Sequence, residues 1–313
     1  MKTLLRPAVA LAVLLSLAGC SSLLSGFSPG NFFDMAVGAA AGNPSDVEKM
    51  NQAQKAVKSV QSAAEEITPE QEYYVGRAVA ATVLTSYPAY DNTAVNNYLN
   101  TLGRGLALAS VLPETFSGYH FLVMDTDEIN AFGAPSGYIL VSRGLLRCAT
   151  TEDEVAAILA HEIGHVSLKH GLSAISQGRW TQAALEIGKF AAQSSDSAVL
   201  RDLTASFGDV ISDIVKTMVT SGYSQELEKQ ADLEAIRILH DVGYEPAALV
   251  RVLKRMETRV APGGKGFGKT HPDPEVRIEY LIAAINAQTP VSAPSAAQAA
   301  ARQARWRSAL GSI

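Results

Sequence analysis

Apolar positions recur at helical spacing along most of the chain. Between residues 45 and 66, Met50, Ala53, Val57, Val60 and Ala64 form a thin stripe. It predicts a helix of weak register, either a packed arm or a partner-binding surface. A stronger start follows at Thr68-Pro69-Glu70-Gln71, with a capping threonine, proline at the first helical position and glutamine at the third. Tyr74, Val75, Ala78, Val79 and Thr82 carry that helix toward Tyr87, and Pro88 breaks it. Thr93 to Ser110 predicts another. The period then changes. Tyr119 to Met124 and Tyr138 to Ser142 are aromatic and β-branched runs bounded by turn residues, the pattern of two short strands.

Thr151, with Glu154 three residues on, has the form of a capping box. The helix it opens buries Val155, Ile158, Leu159, Ile163 and Val166 on one face, and Gly171 is the expected stop, so the helix reads as half-buried. Residues 173 to 221 are helical in composition and lack proline. Residues 224 to 241, 246 to 259 and 273 to 287 predict further helices. From Thr289 come two prolines and an Ala/Arg-rich segment ending near Trp306, read as an extension outside the core. The fold expected is α+β, mostly helical with a small β-sheet. One domain over 68–287 is preceded by a tether and helical arm (20–67) and followed by a tail (288–313).

The first nineteen residues change the picture of where the domain works. Lys2 and Arg6 precede an apolar run from Pro7 to Ala18, too short for a bilayer core of ~30 Å. It ends in Leu17-Ala18-Gly19-Cys20, which resembles a bacterial lipoprotein signal cut before Cys20, the lipidation site. Acyl chains on one cysteine anchor a protein without a transmembrane helix. Ser21 after the cysteine, as in other lipoproteins, implies sorting to the periplasmic face of the outer membrane.

Removing that signal leaves 24 Lys and Arg against 31 Asp and Glu. An acidic chain has no basic footprint for nucleic acid. With Cys20 lipidated, Cys148 is the single thiol, so neither an internal disulfide nor a cysteine metal cluster is available.

The chemistry is concentrated in His161-Glu162-Ile163-Gly164-His165. Two histidines four apart project from one helical face, where both imidazoles reach a single zinc ion. Glu162 between them is placed to take a proton from water activated by the metal. A catalytic zinc takes three protein ligands. His170 is five residues past His165 and turns off that face. A glutamate from Tyr223-Ser224-Gln225-Glu226-Leu227-Glu228-Lys229-Gln230-Ala231-Asp232 is the better third ligand. Glu228 and Asp232 share a face at i and i+4, and Glu226 lies on another. Gly263 to Thr270 satisfies the phosphate-loop string. Because a helix precedes it and Pro272 and Pro274 follow, it predicts no nucleotide site.

This combination resembles the metallopeptidase family of the CAAX prenyl proteases and HtpX, in its soluble periplasmic lipoprotein branch. The resemblance rests on HEIGH, on Glu228-x-x-Ala231-Asp232, on Asn130 to Ile139 upstream, and on Thr270-His271-Pro272 followed by Arg277-Ile278. It implies a zincin-like (gluzincin) domain with His161, His165 and Glu228 as zinc ligands and Glu162 as general base. It further implies that Asp232 orients a zinc histidine. His271 then either steadies the oxyanion or occupies the open metal position in a latent form. Gln225 departs from the family's usual arginine, which removes a local ion pair. The expected activity is zinc-dependent endoproteolysis of unfolded or misfolded envelope proteins. Extended substrate would pair along an edge formed by Tyr138, Ile139, Leu140 and Val141. The rival reading is an envelope holdase that binds outer-membrane protein clients and cleaves little.

Overall fold

The computed structural model describes residues 68–173, 208–259, 271 and 274–313. The signal and Cys20, the helix expected at 45–66, most of 173–221 and the glycine-rich loop at 263–270 lie outside the described residues. Glu66–Ile313 forms one compact unit.

Helix α1 (Pro69–Ser86) starts on the anticipated capping box, with Thr68 and Gln71 each accepting the other's backbone N–H. Helix α2 (Thr93–Ala107) is capped by Asn92. Strands β1 (His120–Met124), β2 (Ala131–Ala134) and β3 (Tyr138–Ser142) make a three-stranded sheet in the order β1-β3-β2. β1 pairs β3 in parallel and β2 pairs β3 antiparallel. The strands alternate between two apolar layers. Phe121, Val123, Ala131, Ile139 and Val141 face one core, and Met124, Phe132, Ala134 and Leu140 face the other. Burial on both faces explains why these strands are continuously apolar rather than alternating with polar residues.

Two expectations about the sheet are corrected. Ala131-Phe132-Gly133-Ala134 is a strand, although alanine and glycine carry almost no β signal. Its presence makes β3 the central strand. The backbone of Tyr138, Ile139, Leu140 and Val141 pairs with a neighbour on each side, so it is not an edge that an incoming peptide could join.

A short helix, α3 (Arg143–Leu146), leads to α4 (Glu152–Ser167), which carries HEIGH. α4 is buried nearly all round rather than on one face. Sheet and helices enclose it, with α2, α7 (Gln225–Val242) and α8 (Ala247–Glu257) packed against it. Thr151 caps the Glu154 amide, but the Glu154 carboxylate accepts instead from Thr150 N–H and Oγ1–H and pairs with Arg255. The stop is not Gly171. Lys169, at φ 57°, turns the chain, and Gly171 lies inside the next short helix, α5 (His170–Ser173). Helix α6 (Gly208–Lys216) and the wider turn Thr217–Ser221 return the chain to α7.

After α8, helix α9 (Pro274–Asn286) packs on α7 and α8. The tail is not an extension outside the core. Helix α10 (Ala296–Leu310) buries Leu310 in it and packs Trp306 against it. Arg305 pairs with the buried Glu152 at the start of α4, and Arg302 with Asp153. Amphipathic arginines near an alanine-rich stripe thus read as solvated until their acidic partners, some 150 positions earlier, come alongside.

Candidate metal centre

His161 and His165 stand one turn apart on α4, with their Nε2 atoms separated by 3.2 Å. The facing groups come from α7, whose first turn is set by Ser224 accepting the Leu227 amide. The two helices cross where Gly164 meets Ala231. A Cβ on Gly164 would lie 2.8 Å from the Ala231 carbonyl oxygen, so only glycine permits this approach. The close crossing presents Glu228 and Asp232, on the α7 face beside Ala231, to the two imidazoles.

Glu228 Oε1 lies 3.3 Å from His165 Nε2, and Oε2 lies 3.6 Å from His161 Nε2. His271 Nε2 is 3.6 Å from Glu228 Oε1. All four residues are buried, and each offers a ligand atom within 4.8 Å of the others. A tetrahedral ion with bonds of ~2.0–2.2 Å keeps its ligand atoms about 3.3–3.6 Å apart, close to the contacts of 3.2, 3.3 and 3.6 Å found here. Both Glu228 oxygens are buried, and among the described residues neither has a hydrogen-bond donor. Such a carboxylate is strongly unfavourable unless a cation compensates it. The donor set therefore fits a divalent metal ion.

The electrostatics separate the roles. Burial holds His165 well below the ordinary imidazole pKa, and the His161 and His170 rings add to this, which favours the neutral ring that a metal ligand needs. Burial likewise lowers His271, against the pull of Glu228. Burial raises the Glu162 carboxyl to about 7, with Glu228 adding to it and His161 opposing. That is the range a general base working near neutrality needs. Glu162 is held under β2, where a Cβ on Gly133 would come within 2.9 Å of its carbonyl oxygen and 3.3 Å of its carboxylate.

Asp232 Oδ1 accepts from His161 Nδ1 at 2.9 Å. Burial opposes its ionisation, but the Arg277 guanidinium and His161 outweigh burial and hold it well below the usual carboxylate range. Sequence reasoning missed the scale of this support. Arg277 on α9, itself 1% exposed, grips Asp232 through Nε (2.9 Å) and Nη2 (2.7 Å), and Tyr280 adds a hydroxyl to Asp232 Oδ2. Arg277 Nη1 also stands 3.7 Å from Glu228 Oε2. The late Arg-Ile pair was visible in the sequence as part of a motif, but nothing local marks an arginine for burial. Tyr223, one residue before the α7 cap, was also missed. Its ring stacks on His165 with centroids 4.3 Å apart.

The remaining assignments sort cleanly. Glu226, the rival ligand, is exposed and accepts from Gln230 Nε2 at 3.1 Å on the same helix. Gln225 is exposed at the first position of α7. His120 contacts Ser117 and stacks on Tyr138, and His240 contacts Asp241 and the Thr289 carbonyl; neither belongs to the cluster. Cys148 is a free, buried thiol donating to the Gly144 carbonyl oxygen.

Residues 93–285 match the model of Peptidase family M48. The chain is 26% identical over 223 residues to the beta-barrel assembly-enhancing protease of Escherichia coli (strain K12), covering 69% of this chain and 44% of that protein. It is 30% identical over 218 residues to a putative beta-barrel assembly-enhancing protease of Vibrio cholerae, covering 68% and 43%. Against the mitochondrial metalloendopeptidase OMA1 of Arabidopsis thaliana it is 28% identical over 173 residues, covering 53% and 31%. The chain thus spans less than half the length of each of these relatives. The family match runs through both helices that bring the buried His, His and Glu together, and the chain belongs to Peptidase family M48, a family of metallopeptidases.

Proposed function

We propose that this chain is a zinc-dependent metalloendopeptidase of the cell envelope, tethered through lipidated Cys20 and acting on unfolded or misassembled envelope proteins. The observation that carries the reading is the convergence of His161, His165 and Glu228, two imidazoles and a carboxylate with no hydrogen-bond donor among the described residues, at tetrahedral spacing. Zinc held by these three would polarise a scissile carbonyl and acidify water at the site.

The chain's own residues do the rest. Glu162 takes the proton of the attacking water, with its carboxyl poised at about 7 by burial, and passes it to the leaving amine. Asp232, clamped by Arg277 and Tyr280, holds His161 with Nδ1 protonated and Nε2 free to ligate. β2 replaces β3 as the strand for substrate pairing. Among the described residues it has a partner strand on one side only, and it passes directly over Glu162. Backbone pairing there favours extended, unfolded chain over any particular side chain. Relatives named for assisting β-barrel assembly support clients of the outer membrane.

A second reading is favoured by one observation: His271 joins the ligand cluster. With its imidazole in the fourth position, the protein would be latent and act mainly as a holdase. One experiment separates the two readings. Zinc-loaded wild type, Glu162→Gln and His271→Ala are assayed for casein cleavage. The peptidase reading expects activity in wild type and its loss in Glu162→Gln. Equal inertness of wild type and Glu162→Gln, with release of activity in His271→Ala, establishes latency. Inertness of all three refutes proteolysis.

A further inference from the structure

The two clustered histidines of α4 are braced by different chemistry. His161 hands its Nδ1 proton to a carboxylate. Among the described residues, no carboxylate stands at the outer nitrogen of His165. Its Nδ1 faces Nδ1 of His170 at 3.0 Å, in a site where His165 is fully buried and His170 is 2% exposed. His170 comes from the next short helix, brought round by the left-handed turn at Lys169.

We propose that His170 is the positioning residue of His165, and that it anchors a neutral relay, His165–His170–Gln230–Glu226, that fixes this ligand's tautomer and ring orientation. The inference rests on the metal reading of the cluster given above. His165 Nε2 points into the space shared with His161 Nε2 (3.2 Å) and Glu228 Oε1 (3.3 Å), so ligation requires its lone pair there and its proton on Nδ1. His170 Nδ1 must then accept. Its own proton lies on Nε2, which donates to Gln230 Oε1 at 3.4 Å. Gln230 is oriented to match: its Nε2 donates to Glu226 Oε1 at 3.1 Å on the exposed side of α7, where a flipped amide would set oxygen against carboxylate. Running the relay backwards fails at both ends. His165 would carry a proton aimed at the ligand cluster, and His170 Nε2 would face Gln230 with lone pair against lone pair.

Each donor thus has one acceptor in one direction only. Tyr223, stacked on His165 at 19° between ring planes, limits tilting, and His170 sets rotation about the Cβ–Cγ bond. A neutral brace also spares the cluster a further buried negative charge beside Glu228, Asp232 and Glu162.

The test compares full-length protein carrying His170→Asn, His170→Ala or His170→Leu. Asparagine keeps an acceptor one bond from Cγ, where Nδ1 stood. Leucine keeps the packing volume but offers no acceptor. Zinc affinity is measured by chelator competition, and the coordination geometry by visible absorption of the cobalt-substituted protein. His170→Leu and His170→Ala are expected to weaken zinc binding by ~10–100-fold, the usual effect of losing such a partner, and to distort the cobalt spectrum. His170→Asn is expected to stay within about threefold of wild type with an unchanged spectrum. If all three variants lose affinity equally, or none does, the relay is refuted even though wild type binds zinc tightly. A wild type that binds no zinc overturns the metal reading itself.

Discussion

Arg277→Met is the most demanding perturbation of this architecture. The guanidinium is 1% exposed, and its two hydrogen bonds at 2.7 and 2.9 Å satisfy Asp232, which is fully buried. Without it, among the described residues, Asp232 keeps only His161 Nδ1 and the Tyr280 hydroxyl, and Glu228 loses the guanidinium 3.7 Å away. Removing one member of a buried pair typically costs ~3–5 kcal/mol, because the survivor remains desolvated and uncompensated. For a unit of this size each kcal/mol moves the melting temperature by about 2–4 °C, so a loss of roughly 6–20 °C is expected. The measurement is thermal and urea unfolding of chelator-treated protein, which separates folding from metal binding.

Two controls sharpen the test. Arg277→Met with Asp232→Leu removes both charges and should recover at least half of the loss, since buried pairs are often replaceable by apolar residues. The pH dependence has a definite sign. Asp232 sits below its ordinary pKa of ~3.9, so its stabilisation is whole above that value and declines as pH falls below it. The gap between wild type and Arg277→Met should therefore narrow below about pH 3.9, by up to ~1.4 kcal/mol per pH unit. A single variant that loses less than ~1 kcal/mol, or a double variant no better than the single, refutes the account of Arg277 as the structural counter-charge.

Two further outcomes follow from particular contacts. Gly133→Ala places a methyl against the Glu162 carbonyl and carboxylate, and should cut casein cleavage by about tenfold or more while zinc content stays at wild-type level; unchanged turnover would mean β2 does not constrain the base. Deleting residues 289–313 removes Leu310 from the core and Arg305 from the buried Glu152, and should destabilise the unit by several kcal/mol, on the order of one lost buried partner plus its apolar contacts. An unaltered unfolding midpoint would return the tail to the status of an appendage.

Much of the site was legible before folding because its parts are local. HEIGH puts two imidazoles on one helical face by spacing alone, and Glu228 with Asp232 does the same for two carboxylates. Capping at Thr68 and Thr151 is carried by side-chain oxygens that accept from backbone N–H groups three residues on. The misreadings are non-local. His170 stays out of the ligand cluster, as its spacing implied, but the turn at Lys169 brings it beside His165, a contact that a continued α4 would not make. β3 read as an edge because its second neighbour, β2, has alanine or glycine at three of its four positions and only Phe132 carries strand preference. The tail read as solvated because Glu152 and Asp153 stand some 150 positions away.

The chain by itself determines a helix that sets two imidazoles and a carboxylate together, a matching acidic helix, and the existence of two strands, since each depends on neighbours within a turn or two. The tertiary structure alone decides that β3 is central and β2 crosses Glu162, that an arginine from α9 lies buried against Asp232, and that α10 closes over the start of α4. The physical reason is that strand order, burial of charge and helix docking are set by which distant surfaces exclude water together. Those pairings are energies of contact between segments and leave no periodic trace within either one.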